Sequence, residues 1–303
     1  MSSHPKKGHA PAYAGCVVAS FGRSFTVELP DSALITCTTR GKRTDIACGD
    51  RVSIAMTAPD QGVIESIEPR ASLFYRSDIQ RQKLIAANVT RIIVVLAVPA
   101  IHRHLLDRCL AAAAYARIPV LLALNKMDLP QADETLASLQ LYGALGYEIL
   151  PLAAKIDITP LRAALAGHTS VLVGQSGMGK STIINRLLPD AAARVGDLSE
   201  ALGSGRHTTT HARLYHLDAH SAIIDSPGLQ EFGLQHVDPG ELAGCYVEFQ
   251  PHIGRCKFNN CRHMTEPGCA IIALMESGVI AASRVTSYRE LLLQIENKAR
   301  RRD

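Results

Sequence analysis

Between residues 12 and 69, apolar positions alternate with polar ones in short runs: Tyr13–Ser20, Phe25–Leu29, Leu34–Thr39, Arg51–Met56 and Gly62–Glu68. Turn-forming residues separate them at Gly22-Arg23, Pro30-Asp31-Ser32, Arg40-Gly41-Lys42, Cys48-Gly49-Asp50 and Pro59-Asp60. A period of two between such breaks predicts strands, and five short strands at this spacing predict a small barrel of the OB type. Residues 1–11 are polar, with Pro5, Pro11, two lysines and two histidines, and read as a mobile tail. A first unit is therefore expected over residues 1–70.

The rhythm changes after residue 88. Apolar runs Arg91–Val98, Pro119–Leu124, Tyr147–Pro151 and Thr169–Val173 alternate with helix-period segments such as Ala132–Leu145 and Thr159–Ala166. That alternation predicts a parallel sheet with both faces covered, extended by strands Ala212–Leu217 and Ala222–Asp225. It marks a second unit, residues 71–235. A third, residues 236–303, begins with a Cys/His-rich loop and finishes with a helix near Ser283–Ala299 that ends in KARRRD. The fold class is thus multidomain α/β.

Composition narrows the picture only a little. The chain has 303 residues, 47% of them hydrophobic and 20% charged, which excludes a disordered chain and a disulfide-stapled miniprotein. The longest apolar stretch, Ile92–Ile101, falls far short of the roughly 20 residues of a membrane span. The eight cysteines, without an export signal, are expected to be reduced in a cytoplasmic protein.

Residues 174–181 read GQSGMGKS, a full match to the phosphate-loop pattern, with strand TSVLVG before it and helix STIINRLL after it. Gly174, Gln175, Ser176, Gly177, Met178 and Gly179 would turn backbone N–H groups toward phosphate oxygens. Lys180 would reach the β- and γ-phosphates, Ser181 would ligate Mg²⁺, and Thr182 continues the loop into the helix.

Asn125, Lys126, Met127 and Asp128 follow the buried strand PVLLAL. A carboxylate there accepts hydrogen bonds from guanine N1–H and the 2-amino group together. Adenine has no such donor pair, so binding it would strand a desolvated acceptor. Asn125 would tie this loop to the phosphate loop while the Lys126 stem covers a purine face. Ala153, Ala154 and Lys155 close strand YEILP, where a backbone N–H would meet guanine O6. Asp225, with Pro227 and Gly228 in DSPG, places a carboxylate near the metal and a glycine near the γ-phosphate. Gly205, Arg206, His207, Thr208, Thr209 and Thr210 form GRHTTT, a switch segment whose Thr208 or Thr209 would offer Mg²⁺ a hydroxyl. The residue after Gly228, where many GTPases carry a water-orienting Gln, is Leu229, and His207 is the candidate to replace it in catalysis.

Cys256-x4-Cys261-x-His263-x5-Cys269 places three thiols and an imidazole within one loop. This donor set suits one structural, tetrahedral Zn²⁺. Scattered Cys16, Cys37, Cys48, Cys109 and Cys245 read as packed apolar side chains.

The purine and phosphate motifs stand in an unusual order, with NKMD before AAK, GQSGMGKS, GRHTTT and DSPG. Together with LQEFG and the cysteine spacing, this order resembles the circularly permuted, ribosome small-subunit-dependent GTPases, the RsgA/YjeQ family. The resemblance covers everything beyond the tail. It implies an OB-fold barrel, a permuted P-loop GTPase domain and a C-terminal helical zinc domain. It also implies a protein that binds GTP and GDP, is stimulated by the small ribosomal subunit, and serves that subunit's late maturation; a cytoplasmic monomer is expected. The same likeness favours His207 as the catalytic residue; against the family pattern, Ala153 stands where a Ser is usual.

The charge supports an RNA partner only locally. Residues 1–71 carry 8 basic and 7 acidic side chains, and residues 239–303 carry 9 and 7. Arg40, Lys42 and Arg43 in a barrel loop, with Lys298, Arg300, Arg301 and Arg302 at the end, are candidate rRNA contacts, and Tyr13, Phe21 and Phe25 are candidate stacking aromatics. The rival readings are a P-loop ATPase or kinase with an incidental NKMD, and a non-catalytic RNA-binding scaffold with structural nucleotide.

Overall fold

A computed structural model describes residues 12–41, 45–77, 82–189, 212–225, 234 and 237–299, excluding the side chains at 76, 77, 82, 83, 298 and 299. The alternating N-terminal runs form β1 (Ala12–Phe21), β2 (Ser24–Glu28), β3 (Leu34–Thr39), β4 (Arg51–Ala58) and β5 (Gln61–Ile67). They are joined in the order β1-β2-β3-β5-β4, and β4 pairs back onto β1 to close a barrel. The β3–β5 pairing is parallel and the rest are antiparallel. Val17, Phe25, Val27, Ile35, Cys37, Val52, Ile54 and Ile64 fill the interior, the inward half of each alternation. Phe25 is thus a core residue, 3% exposed, and is removed from the candidate stacking aromatics; Tyr13 and Phe21 stay exposed.

A hairpin, β6 (Leu73–Ser77) and β7 (Gln82–Ala87), follows the barrel and touches it through a Cys48–Ala86 bridge. Five parallel strands come next in space, in the order β10 (Glu148–Pro151), β9 (Val120–Asn125), β8 (Arg91–Ala97), β11 (Thr169–Val173) and β13 (Ala222–Asp225). Antiparallel β12 (Arg213–His216) borders β13 and carries the sheet into the barrel, with Arg213 opposite Ala19. His216 Nε2 and Glu28 Oε2 meet at 2.6 Å across this seam.

The sheet is apolar on both faces, as helical cover demands. Ile93, Val95, Leu121, Ala123, Leu172 and Ile223 pack against α4 (Thr159–Leu165) and α5 (Lys180–Leu187). The alternate positions, among them Ile92, Val94, Leu122, Leu124 and Val171, pack against α1 (Arg103–Tyr115). The segment expected as one helix over Ala132–Leu145 is divided into α2 (Ala132–Ala137) and α3 (Gln140–Ala144). At the break the Ser138 hydroxyl donates to Thr135 O at 2.7 Å, and Leu139 is fully buried.

The C-terminal region adds a 3-10 turn (Leu242–Cys245), α6 (Ala270–Glu276) and α7 (Ala282–Ala299). Its core is continuous with the α1 face: Leu242, Tyr246, Phe249, Val285 and Tyr288 belong to the same buried cluster as Leu106 and Leu110. Arg284 of α7, 1% exposed, lies within that junction. It bonds Asp107 of α1 and, from Nε at 2.6 Å, Glu248 Oε1. Tyr142 of α3 donates its hydroxyl to Asp107 at 2.8 Å, and the Tyr246 ring lies 4.5 Å from the guanidinium. Burial pushes the Arg284 pKa down, and the Glu248 and Asp107 carboxylates more than reverse that, so the group is a fixed cation. No helix among the described residues is long and apolar enough to cross a membrane.

Candidate nucleotide site and metal centre

Four strands of the parallel sheet deliver the nucleotide motifs to one edge. β11 runs into Gly174–Ser181 and α5, β9 into Asn125–Asp128, β10 into Ala153–Lys155, and β13 ends on Asp225. Ligands of open α/β sheets bind outside the carboxyl ends of the strands.

The phosphate loop can take its path only with glycine at two tight points. A Cβ on Gly174 would lie 2.4 Å from Val95 O, and one on Gly179, whose φ is +97°, would lie 2.3 Å from Asn125 Nδ2. Lys180 Nζ donates to Gly174 O at 2.5 Å and to Gln175 O at 2.7 Å, which holds the lysine over its own loop. Burial pushes the Lys180 amine below its ordinary pKa, with Asp225 opposing. Burial likewise raises Asp225, with Lys180 opposing. A cation and an anion are therefore held half-buried where phosphate and metal charges would be balanced. Ser181 and Ser176 are exposed, and Thr182 is half-buried.

Asn125, only 3% exposed, joins three motifs. Its Nδ2 donates to Met178 O at 3.0 Å, and its Oδ1 accepts the Ala154 N–H at 3.1 Å. The expected tie to the phosphate loop is present. The second bond commits the Ala154 N–H to the protein, which leaves the N–H groups of Ala153 and Lys155 as the ones to offer a base. Lys126 adopts φ +63°, a left-handed turn that costs a non-glycine residue about 1 kcal/mol. Met127 N–H donates to Leu152 O at 3.1 Å, tying the ends of β9 and β10 together, and Asp128 is exposed.

The candidate switch and catalytic residues Gly205, Arg206, His207, Thr208, Thr209, Thr210, Pro227 and Gly228 lie outside the described residues. So do Lys42, Arg43 and Arg300–Arg302, and the Lys298 side chain. Arg40 is described: it pairs with Glu65 at 3.0 Å with its side chain 75% exposed.

The cysteine loop closes on itself. The ligand atoms of Cys256, Cys261, His263 and Cys269 lie within 4.8 Å of one another. His263 Nδ1 is 3.6, 3.6 and 3.3 Å from the sulfurs of Cys256, Cys261 and Cys269, and the Cys256 and Cys269 sulfurs are 3.9 Å apart. Sulfurs about 2.3 Å and nitrogen about 2.0 Å from a central tetrahedral Zn²⁺ would be about 3.5–3.8 Å from one another. The donor set and its spacing both fit that ion. Glu266 braces the loop by accepting the N–H groups of Arg262 (2.9 Å) and Met264 (2.8 Å), and the Ala270 N–H donates to Cys256 Sγ at 3.3 Å. Phe249 and Tyr288 flank the His263 ring at 6.3 and 6.0 Å.

Comparison with known proteins decides what this assembly is. The family model described as RsgA GTPase matches residues 67–235. This chain belongs to the RsgA GTPase family. As a member it is a GTP hydrolase, and the order of its strands and motifs is that of the circularly permuted form. It is 51% identical over 288 residues to the small ribosomal subunit biogenesis GTPase RsgA of Nitrosospira multiformis, covering 94% of this chain and 92% of that protein. Identity to the Nitrosomonas europaea protein of the same name is 48% over 292 residues, covering 95% and 93%. Among solved structures, YjeQ from Thermotoga maritima matches with a TM-score of 0.73 at 28% identity, over 94% of this chain and 99% of that one. YloQ, a circularly permuted GTPase, shares the fold with a TM-score of 0.70 at 23% identity, over 97% and 99%.

Proposed function

We propose that this RsgA-family GTPase binds the small ribosomal subunit through its rRNA, hydrolyses GTP under that subunit's stimulation, and assists its late maturation in the cytoplasm. The relatives named above carry that role in their names. The observation that carries the reading is the Asn125 bridge, which ties the purine loop, the phosphate loop and the Ala153–Lys155 turn into one pocket.

In this reading Asp128 takes guanine N1–H and the 2-amino group, the Lys126 stem lies on the base, and the backbone N–H groups of Ala153 and Lys155 take O6. Lys180 leaves the Gly174 and Gln175 carbonyls for the phosphates. Ser181 and Asp225, joined by Thr208 or Thr209, would hold Mg²⁺, whose charge would offset that of the phosphates. Asp225 fits this role as a hard-oxygen donor whose buried carboxylate lacks full compensation. Cys256, Cys261, His263 and Cys269 hold one structural Zn²⁺. With Leu229 at the position after Gly228, His207 orients the water when the subunit is bound. Arg40, Lys42, Arg43, Lys298 and Arg300–Arg302 contact rRNA. The domains divide near residues 70 and 235, and the protein acts as a monomer.

The test is single-site GTP turnover with and without purified small subunits. Subunits are expected to raise the wild-type rate at least tenfold and to leave the His207→Ala variant near its basal rate, losses typical of a missing water-positioning group. Unstimulated wild-type turnover would overturn the ribosomal reading. Undiminished stimulation of His207→Ala would remove only the histidine.

A further inference from the structure

Guanine O6 is assigned above to backbone N–H groups of a turn, and that turn works only if it is held at a fixed distance from the phosphate loop. The turn is tight: Ala153 O accepts the N–H groups of Ile156 at 2.8 Å and of Asp157 at 3.0 Å. Asn125 fixes its first half by taking the Ala154 N–H. Its second half is held from another element. Arg186, in the last turn of α5, donates from Nη2 to Ile156 O at 3.1 Å. The end of α5 that carries Arg186 is itself anchored, because Arg162 of α4 donates to Leu187 O at 2.7 Å. The Asp157 carboxylate sits below its ordinary pKa range, first through the Thr159 N–H and in smaller part through the Arg186 charge.

The helix begins with Lys180 and ends at Leu187, so one short rod connects the phosphate end of the pocket to the base end. Arg186 is exposed, and no packing of its side chain into the core explains its contact with Ile156.

We infer that Arg186 is a positioning residue for guanine recognition, clamping the Ala153–Ile156 turn to the phosphate-binding helix so that the turn meets the 6-oxo group. The inference rests on the guanine reading of the site. It predicts an effect of Arg186 that depends on the 6-position of the base and on nothing else about the nucleotide.

Equilibrium dialysis of the full chain tests this with GDP, IDP and 6-thio-GDP. IDP lacks the 2-amino group but keeps the 6-oxo group. 6-Thio-GDP keeps the 2-amino group and N1–H but offers sulfur, a weak acceptor, at the 6-position. Arg186→Ala is expected to weaken GDP and IDP alike by about fivefold and 6-thio-GDP by less than about twofold, the scale of one hydrogen bond. Arg186→Lys, which retains a charged donor, is expected to recover most of the loss. Equal weakening of all three ligands, or of none, overturns the assignment. The guanine reading fails by a different result, wild-type protein that holds ADP as tightly as GDP.

Discussion

Asn125 has both ends of a buried carboxamide committed within the protein, so in the proposed reading base selection falls to Asp128. Asp128 is exposed, an acceptor left open for the proposed purine contact among the described residues. Asp128→Asn replaces one acceptor oxygen by a donor, which suits the 2-oxo group of xanthine and opposes the 2-amino group of guanine. GTP affinity is expected to fall about 100-fold while XTP affinity rises, as measured by competition dialysis. Unchanged preference would place the base elsewhere. Asp225 makes the opposite kind of contribution. Its pKa is raised in the folded chain by burial, so the folded state holds the proton to higher pH than the unfolded chain does. Stability therefore declines as pH rises from the ordinary carboxylate value through the raised one, and the cost is fully present above the raised value. Asp225→Asn should melt higher than wild type at pH 7 in nucleotide-free buffer, with the gap closing toward pH 4, and should lose Mg²⁺-dependent turnover. A lower melting point at pH 7 would show that the Lys180 attraction outweighs burial.

Among the elements, the parallel strands and the barrel strands were legible because each is a period-two or continuous apolar run bounded by turn residues. The nucleotide and cysteine motifs were legible because their chemistry needs fixed residue types at fixed spacing. The β6–β7 hairpin was not, since Asp78-Ile79-Gln80-Arg81 between its strands contains neither Gly nor Pro. Nor did α1 stand out, because Ala111–Ala114 is apolar on every side and shows no stripe. The supports of the site, Arg162 and Arg186 on α4 and α5, were invisible for another reason. A lone arginine on a helix surface reads as a solvated charge until the carbonyl it caps is in view. The cysteine loop, by contrast, has little regular structure: between Arg255 and Cys269 its shape depends on side-chain donors, the Glu266 brace and the tetrahedron itself. With Zn²⁺ bound as proposed, its folding free energy would be that of metal binding. Chelation should release one Zn²⁺ per chain, read by a colorimetric indicator. It should also raise amide hydrogen exchange in residues 249–270 far more than in β8 or β9. Exchange that rises equally in the barrel and the parallel sheet, or a chain that releases no metal, would contradict a local structural ion.

For the whole molecule the decisive junction is the buried cation at Arg284, where α1, α3 and the C-terminal region meet. Asp107 and Glu248 share one guanidinium, and the three side chains are 4%, 9% and 2% exposed in that order. Desolvating three charges offsets much of their attraction, so the network adds little to stability beyond what apolar packing there would supply. It does make the arrangement specific, because removing one member leaves the others uncompensated. Arg284→Met keeps the volume and strands two carboxylates in an apolar junction, which should cost about 3–5 kcal/mol by urea unfolding at pH 7. The sign of its pH dependence separates charge from packing. In the variant both carboxylates would have pKa values raised above those of the unfolded chain, so the folded variant takes up protons as pH falls and its deficit against wild type shrinks. Wild type keeps both carboxylates hydrogen-bonded to the guanidinium. The deficit is therefore expected to be smaller at pH 5 than at pH 7. A deficit that is the same at both values would mean that the methionine merely packs badly, and that the three regions are held together by the surrounding Tyr246, Phe249 and Tyr288 cluster rather than by the shared charge.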